Sequence, residues 1–429
     1  MKNKNNPLKG LKAFLILWST QGLSALGSSM TSFALVIWSY QQQGSALTTA
    51  GLTVCSYAPY VLLSIFAGSL ADRWDKKKTM VLCDLFAALT TVAVLVLLKT
   101  GRLEIWHLYG INALNGLMNT LQQPAGEVAV TRLTPAEQVQ RVAGLRSLSS
   151  SLVTLLSPIL ATAMLTLLGL EAVIAFDLTT CAAAVESLLL FIRIPEGQAA
   201  EKTDLLQSAR EGLEWLGGHR GVLDMILFLA AINLIASVYN AALPAMVLSR
   251  PGGGEAELGI LQTFTGIANL AGSLLVTLLP TPKSRVRVIC NSLLFSMSTE
   301  NLMLALGRQA GVWYVGSILG WLFIPVMNTN LDALLRLHIP VELQGRVYAA
   351  RNTLQFFTIP VGYLLGGWLV DMVCEPYMSS LTADAVLIRL LGSGKGSGAA
   401  LLFLIIAAAG VLVCLVFRRD KHLWKLEEE

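Results

Sequence analysis

The chain has 429 residues, of which 54% are hydrophobic and 14% are charged, and its formal net charge is +4. Soluble globular proteins contain about 25% charged residues, so this composition excludes an ordinary soluble protein and predicts an integral membrane protein. The six cysteines lack Cys-x-x-Cys spacing and nearly all lie in apolar stretches, so we expect neither a metal site nor a disulfide framework.

Twelve apolar stretches are long enough to cross the hydrocarbon layer of a membrane, which is roughly 30 Å thick and takes about 20 helical residues. They lie near residues 12–39, 48–71, 79–98, 105–126, 143–168, 171–193, 221–248, 257–280, 286–307, 311–333, 347–372 and 398–418. The apolar run after the basic N-terminal segment is too long for a signal peptide. We therefore expect it to stay in the protein as the first helix.

The lysines and arginines lie mainly in alternate connections between the spans. With the N-terminus in the cytoplasm, 25 of the 31 Lys and Arg residues fall on the cytoplasmic side and six on the other. The positive-inside rule therefore predicts that both termini are cytoplasmic. The positive charge then belongs to the membrane surface, and no nucleic-acid partner is expected.

The longest connection on that side, residues 194–220, divides the spans into six and six. We therefore expect an N-terminal six-helix bundle over residues 1–193 and a C-terminal one over residues 221–429. Five apolar residues of the connection share one side of a helix, namely Leu205, Leu206, Ala209, Leu213 and Leu216. This pattern predicts a short helix at the membrane interface; a solvated linker is the alternative.

The two halves of the chain contain a repeated segment. A shift of 205 residues aligns the connection after the fourth span with the connection after the tenth. It pairs Glu127 with Asp332, Pro135 with Pro340, Glu137 with Glu342, Arg141 with Arg346 and Arg146 with Arg351. The matched order favours two parallel repeats related by an axis along the membrane normal, with a substrate held near the midplane between them.

The connection after the second span is dense in charge and reads Gly68-Ser69-Leu70-Ala71-Asp72-Arg73-Trp74-Asp75-Lys76-Lys77-Lys78. Its order resembles the signature loop between helices 2 and 3 of the major facilitator superfamily. Glu375-Pro376 and the later run Gly392-Ser393-Gly394-Lys395-Gly396 look like the branch that contains macrolide-efflux and siderophore-exporter proteins. The resemblance implies an all-α membrane protein with twelve transmembrane helices in two six-helix, pseudo-symmetric bundles, and it implies secondary transport.

The same resemblance implies a latch on the cytoplasmic side. In the superfamily, the aspartate of the loop docks at the N-terminus of helix 11, and its arginine pairs with an acid at the end of helix 4. These roles fall to Asp72, Arg73 and Glu127, and we expect Gly68 and Arg346 to belong to the same latch. A carboxylate suits a helix N-terminus and a buried arginine needs a carboxylate, so the latch would favour the outward-open state.

The resemblance has limits. Asn112 replaces the helix-4 arginine that supports proton coupling in many antiporters, and Ser157-Pro158 replaces the Gly-Pro of exporters. The first span contains no acid. The exchange mechanism of the related drug antiporters therefore does not transfer directly.

In this superfamily, helices 1, 4, 7 and 10 face the central cavity, and the corresponding spans carry polar residues at helical spacing. The predicted cavity residues are Gln21, Ser28, Asn112, Asn115, Asn119, Gln122, Asn233, Asn240 and Asn328. An amide-rich wall of this kind suits a bulky, largely neutral amphiphile. The alternative is that these side chains join packed helices by hydrogen bonds.

Carboxylates inside the spans are costly, at roughly 2.5–3.5 kcal/mol each at a helix centre. Glu186 in the sixth span and Glu300 in the ninth lie deepest, and Asp332 lies near the cytoplasmic end of the tenth. We predict these three as proton-coupling candidates. The alternatives are packing against polar neighbours for Glu186 and Glu300, and a latch role like that of Glu127 for Asp332.

No Gly-x-x-x-x-Gly-Lys-Ser/Thr loop is present, so an ion or substrate gradient is the expected energy source. We predict a transporter and not an enzyme, without cofactors: a proton-coupled exporter of amphiphilic compounds such as macrolides or siderophores. Within transport, the alternatives are an uptake carrier or a lysophospholipid flippase; from a different class, the alternative is a non-transporting membrane subunit or sensor. We expect the protein to be a monomer in the inner membrane of a bacterium. Its expected partners are the amphiphilic substrate, protons and the lipid bilayer.

Overall fold

A computed structural model describes the backbone of residues 11–135, 138–194, 205–280, 282–340 and 343–427. The side chains of residues 64–73, 139–140, 205–209, 344–346 and 349 lie outside the described part. Within the described ranges the chain is helical and contains no β-strand. The predicted all-α fold class is therefore confirmed.

The first half of the chain forms six long helices. They are α1 (Lys12–Gln43), α2 (Ala46–Arg73), α3 (Lys76–Lys99), α4 (Ile105–Leu133), α5 (Val139–Leu168) and α6 (Leu170–Leu190). Each coincides with one of the first six predicted spans.

The second half begins with a short helix and continues through long and broken ones. They are α7 (Leu205–Gly218), α8 (Arg220–Ser249), α9 (Glu255–Leu278), α10 (Arg285–Leu306), α11 (Ala310–Leu322), α12 (Ile324–His338), α13 (Gln344–Phe356) and α14 (Thr358–Trp368). A π-helical segment follows (Leu369–Cys374), and then α15 (Glu375–Ser380), α16 (Val386–Leu391), α17 (Ser397–Arg418) and α18 (Lys421–Lys425).

Ten helical segments in the described residues are long and apolar enough to cross a membrane. The other two predicted spans correspond to α4 and α10, which have 29 and 22 residues. At 1.5 Å per residue both are long enough, but their amide and charged side chains make them more polar than the ten. These polar side chains belong inside a bundle rather than against lipid, because lipid offers them no hydrogen bonds.

The predicted tenth and eleventh spans are each divided into two helices. The breaks fall at Phe323, between α11 and α12, and at Phe357, between α13 and α14. A proline follows each break, Pro325 in the first case and Pro360 in the second. Proline has no N–H to donate to the carbonyl group four residues earlier, so a helix is weakened just before it.

The helices group into two compact units. The first contains α1 as far as Leu35, α2 from Cys55 onwards, and α3 to α6; the second contains Val36–Val54 and α7 to α18. In the first unit α3 packs against α4 and α6. In the second, α8 packs against α14 and α17, and α10 packs against α11, α12 and α17. The predicted division at residues 193 and 221 stays a prediction.

A helix occupies the connection where the sequence predicted one. α7 packs against α13 and α8 in the second unit, with Leu216 buried and Leu213 exposed. The side chains of Leu205, Leu206 and Ala209 lie outside the described part. The place of α7 at the membrane surface stays a prediction.

Arg250, the first residue after α8, closes the ends of two other helices in the second unit. Its guanidinium donates to the carbonyl oxygens of Leu304, Ala305 and Gly307, at 3.3, 3.3 and 3.1 Å, and to that of Leu391. These carbonyl groups lie at the ends of α10 and α16, where no intrahelical N–H remains for them. Burial lowers the pKa of Arg250, and the four carbonyl dipoles offset the cost of burying its charge.

Candidate functional site

A buried carboxylate joins three helices of the first unit. Asp84 on α3 is 7% exposed. Its Oδ2 accepts a hydrogen bond from Gln21 Nε2 on α1 at 2.9 Å, and its Oδ1 accepts one from Gln122 Nε2 on α4 at 2.5 Å. Both amides were predicted for the cavity wall, and the structure shows what they bind: an acid that would otherwise be buried without a partner.

Two more predicted cavity residues make hydrogen bonds within the first unit. Ser28 Oγ on α1 donates to Asp177 Oδ1 on α6 at 2.9 Å, and Thr90 Oγ1 on α3 donates to Asn115 Oδ1 on α4 at 2.8 Å. These bonds favour the alternative that polar side chains join packed helices.

The remaining amides of α4 differ in exposure. Asn112 is half-buried and Asn119 is exposed. Asn115 joins two helices, whereas Asn119 is exposed. Replacing each in turn therefore distinguishes a structural role of these amides from a role in contacting a substrate.

We expect Asn115→Ala to lower thermal stability by about 1 kcal/mol, because it removes the hydrogen bond between α3 and α4 and leaves the Thr90 hydroxyl with the Ala87 carbonyl oxygen of its own helix, at 2.8 Å. We expect Asn119→Ala to leave stability unchanged and to alter the range of compounds that the protein carries. Thermal unfolding and substrate competition on the two purified variants measure both effects. A selectivity change in Asn115→Ala without destabilisation would contradict this assignment.

A second buried carboxylate lies in the second unit. Glu300 on α10 is 4% exposed, and its Oε1 accepts hydrogen bonds from the Tyr239 hydroxyl at 2.6 Å and from Trp321 Nε1 at 3.1 Å. Gly320 on α11 makes room for it, since a Cβ atom there would collide with the carboxylate. No Lys or Arg among the described side chains forms an ion pair with Glu300.

Asp84 and Glu300 occupy comparable helices in the two halves. Asp84, on the third predicted span, is bound by residues of the first and fourth. Glu300, on the ninth, is bound by Tyr239 on the seventh and Trp321 on the tenth. The two acids differ in their donors: amides bind Asp84 through both oxygens, whereas a phenol and an indole bind a single oxygen of Glu300.

The sequence repeat also appears as a repeated ion pair. Arg146 on α5 donates through both terminal nitrogens to the carboxylate of Glu127 on α4, in a bidentate pair. In the second unit, Arg351 Nη1 on α13 lies 3.5 Å from Asp332 Oδ1 on α12. The shift of 205 residues relates these two pairs, and the choice between a latch role and a proton-coupling role for Asp332 stays a prediction.

The predicted latch is only partly described. Glu127 binds Arg146, although the resemblance implied Arg73 as its partner. The side chains of Asp72, Arg73 and Arg346 lie outside the described part, as does the environment of Gly68. The latch therefore stays a prediction.

The predicted cavity residues of the second half make few hydrogen bonds outside their own helices. Asn240 Nδ2 on α8 donates to the carbonyl oxygen of Ala236 at 2.9 Å, one turn earlier in the same helix. Asn233 on α8 is half-buried, and Asn328 on α12 is exposed. Unlike Gln21 and Gln122, these three amides bind no acid in the described part of the second unit.

The family model of the Major Facilitator Superfamily matches residues 17–363 of the chain, which is most of its length. The chain belongs to this superfamily. Among the proteins of this superfamily, the transporter is 23% identical over 365 residues to Macrolide efflux protein A of Streptococcus pyogenes. The match covers 84% of this chain and 90% of that protein. The resemblance to the macrolide-efflux branch is therefore confirmed.

Solved structures show the same fold. The transporter superposes on the nucleoside transporter NupG with a TM-score of 0.70 at 13% identity, over 95% of this chain and 98% of that chain. On a D-xylose-proton symporter the TM-score is 0.66 at 13% identity, over 94% of this chain and 97% of that chain. At such identities the likeness concerns the fold alone.

Glu186 has surroundings that the sequence analysis did not anticipate. It is exposed on α6, in a shallow apolar groove of about 360 Å³ with Leu85, Leu178 and Leu189 among the lining residues. Packing against polar neighbours, which was the alternative to a proton-coupling role, is therefore wrong for Glu186.

A carboxylate that the sequence analysis missed holds the turn between α1 and α2 within the second unit. Asp371, in the π-helical segment, accepts hydrogen bonds from Ser45 Oγ at 2.7 Å, Ala46 N at 3.0 Å and Leu47 N at 2.8 Å. Ser45 Oγ in turn accepts from Thr48 N at 3.0 Å. Asp371 thus satisfies two of the N–H groups that a helix start leaves free, and its charge suits that end of the helix. Its place near the end of the eleventh span was visible in sequence, but its partner on α2 was not.

Further contacts hold the same turn. The Tyr40 hydroxyl shares a hydrogen bond of 2.6 Å with Ser249 Oγ at the end of α8. The ammonium group of Lys395 lies 5.5 Å from the centre of the Tyr40 ring. Gln41 Nε2 donates to Glu255 Oε1 at the start of α9. Residues from α8, α9, the π-helical segment and the connection before α17 therefore converge on this turn.

Proposed function

We propose that the transporter is a proton-coupled exporter of amphiphilic small molecules that works by alternating access. The single observation that carries the coupling is the buried Glu300, which binds neutral donors only. An ionisable side chain inside a membrane span without a cationic partner is costly to insert and is therefore a candidate functional site.

The donors of Glu300 provide a physical link to conformational change. Tyr239 lies on α8, Trp321 on α11 and Glu300 on α10. A shift of these helices against one another would change the number of hydrogen bonds to the carboxylate, and with it the free energy of carrying a proton. Proton binding and helix position are then coupled, because each biases the equilibrium of the other.

The direction and the substrate class rest on separate support. The relative from Streptococcus pyogenes is named for macrolide efflux. The exposed amides Asn119 and Asn328 are neutral hydrogen-bonding groups on cavity-type helices, which suits a bulky substrate with many oxygen atoms and little charge.

The proposal is tested in inside-out vesicles with an imposed pH gradient and a panel of macrolides, siderophores and lysophospholipids. We expect macrolide-like compounds to accumulate when the lumen is acidic, and a protonophore to abolish accumulation. Accumulation in right-side-out vesicles only would establish an uptake carrier, and movement of lysophospholipid alone would establish a flippase. Either result would contradict the proposal.

Alternating access also involves the turn between α1 and α2. Both helices pass from one compact unit to the other, at Leu35/Val36 and at Val54/Cys55. The turn and Asp371 belong to the same unit, so this attachment fixes to the second unit the ends of two helices that continue into the first.

We expect Asp371→Ala to raise the rate of amide hydrogen exchange at Ala46 and Leu47 about fivefold or more. The reason is the loss of a helix cap worth about 1 kcal/mol. Exchange followed by mass spectrometry on the purified transporter measures this. Asp384→Ala is the matched control, because Asp384 is an exposed acid of the same unit whose carboxylate lies 3.6 Å from Arg389 Nη2 and not at the turn between α1 and α2. Equal exchange in both variants would show that Asp371 does not hold the turn.

A further inference from the structure

A cavity of about 700 Å³ opens at one end of the second unit. It lies between the starts of α8 and α10, the end of α12 and the C-terminal helix α18. The predicted topology places this end in the cytoplasm. Its lining residue on α10, Arg285, lies 15 residues before Glu300 on the same helix, about 22 Å at 1.5 Å per residue, and the cavity takes no part in the proposed coupling.

The lining of this cavity is strongly basic. Its ionisable side chains are Arg220, Lys283, Arg285, Lys425, His219, His338, His422 and Glu427. Four permanent cations and three histidines thus face one carboxylate among the described lining residues. Several cations around one concave surface raise the local concentration of anions.

The one acid of the lining is already bound. Glu427 Oε1 accepts a hydrogen bond from the backbone N–H of Val286 at 2.6 Å, in the first turn of α10. The negative charge of Glu427 therefore stabilises the N-terminus of α10. The carboxylate offsets part of the positive charge, but it does not form an ion pair with a lining cation in the described structure.

Arg220 is the lining cation with a direct carboxylate partner. Its Nε lies 3.2 Å from Asp224 Oδ1, and His422 Nδ1 lies 3.3 Å from both Asp224 Oδ2 and Asp420 Oδ1. Asp224, Asp420 and His422 have ligand atoms within 4.8 Å of one another. A metal ion there would compete with the guanidinium of Arg220, so this cluster favours an internal ion pair over a metal.

Three cations remain without a carboxylate partner in the described structure. Arg285 Nη1 donates to Asn330 Oδ1, a neutral group, at 3.3 Å, and Lys283 and Lys425 are exposed. The N-terminus of α8 adds positive potential to these three cations. The side chain of its N-cap residue, His219, makes no capping hydrogen bond, so the N–H groups of the first turn of α8 are available to an anion in the cavity.

We propose that this cavity binds a phosphate group, with Lys283, Arg285 and Lys425 as the residues that neutralise it. Phosphate oxygens accept charge-assisted hydrogen bonds from lysine and arginine and suit a helix N-terminus. The headgroup of an anionic phospholipid and a free polyphosphate share this chemistry. Binding draws α8, α10, α12 and α18 together, so it stabilises the second unit.

The test measures thermal unfolding of the full-length transporter in nanodiscs. One arm titrates inorganic pyrophosphate into phosphatidylcholine nanodiscs, and the other replaces part of the phosphatidylcholine with phosphatidylglycerol. The pocket variant is Lys283→Gln with Lys425→Gln. The matched control is Arg336→Gln with Lys421→Gln, which removes the same charge from exposed residues outside the cavity lining.

We expect the wild-type protein and the control to be stabilised in at least one arm. In the pocket variant we expect the apparent affinity for pyrophosphate to fall about tenfold or more, or the stabilisation by phosphatidylglycerol to be lost. The arm that responds identifies the source of the phosphate group. Absence of stabilisation in both arms, or an equal loss in the control, would overturn the proposal, because the binding would then be absent or spread over the whole basic face.

Discussion

Replacing Glu300 with glutamine is expected to abolish uphill transport and to leave substrate exchange intact. Glutamine has nearly the size of glutamate, and its carbonyl oxygen can accept the hydrogen bonds that Tyr239 and Trp321 donate to Glu300. The variant should therefore fold. Its side chain is permanently neutral, so it can resemble the protonated state but can never release a proton.

The measurement uses inside-out vesicles with a macrolide-like substrate. We expect accumulation driven by a pH gradient to fall to background in Glu300→Gln, and exchange down a substrate gradient to continue near the wild-type rate. Glu171→Gln is the matched control, since it removes a carboxylate from an exposed position in the first turn of α6. Accumulation at the wild-type level in Glu300→Gln would show that the proton site lies elsewhere or that the coupling ion is not a proton.

Replacing Arg250 with alanine is expected to lower the free energy of unfolding by about 3 kcal/mol or more. Arg250 is 7% exposed and binds four carbonyl groups at the ends of α10 and α16. Its guanidinium also lies 5.9 Å from the centre of the Trp313 ring, which adds a cation–π contact. Truncation removes these contacts together and leaves the carbonyl groups of Leu304, Ala305 and Leu391 without this donor, whereas the Gly307 carbonyl keeps its hydrogen bond from Trp313 Nε1 at 2.9 Å.

Thermal unfolding of the purified variants in detergent measures this loss. Arg308→Ala is the control, because Arg308 is exposed and donates to one described carbonyl group, that of Arg389. We expect the control to stay within about 0.5 kcal/mol of the wild type. Arg250→Lys should recover only part of the stability, because an ammonium group cannot donate to two helix ends as a planar guanidinium does. Equal unfolding temperatures for Arg250→Ala and the control would contradict the role of Arg250 as a double helix cap.

The helices were predictable from sequence because each span needs a long apolar run, whatever its neighbours are. The repeat was predictable because residues matched at a fixed shift lie at equivalent positions in the two halves. The ion pairs Glu127–Arg146 and Asp332–Arg351 form at such positions. The partners themselves were not predictable, because the order of residues in a loop does not say which cation reaches an acid. The breaks in the tenth and eleventh spans were missed because hydropathy continues across Pro325 and Pro360.

The candidate site was harder to predict than the fold. Helical spacing places Asn115, Asn119 and Gln122 near one another on α4, but it gives no information on what each one meets. The structure divides them: Asn115 binds Thr90, Gln122 binds Asp84 and Asn119 is exposed. The cost of a buried acid singled out Glu300, whereas Tyr239 and Trp321 became its donors only through the packing of α8 and α11 against α10.

The hydrogen bond from Trp321 to Glu300 also gives the transporter an optical reporter of its own. The indole N–H lies 3.1 Å from the carboxylate oxygen, so a change in the charge of Glu300 alters the electric field on the fluorophore. Subtracting the emission of Trp321→Phe from that of the wild type isolates this tryptophan from the other eight of the nine in the chain. Under the proposed coupling, this signal would follow proton movement at Glu300 during turnover, in real time and without an attached dye.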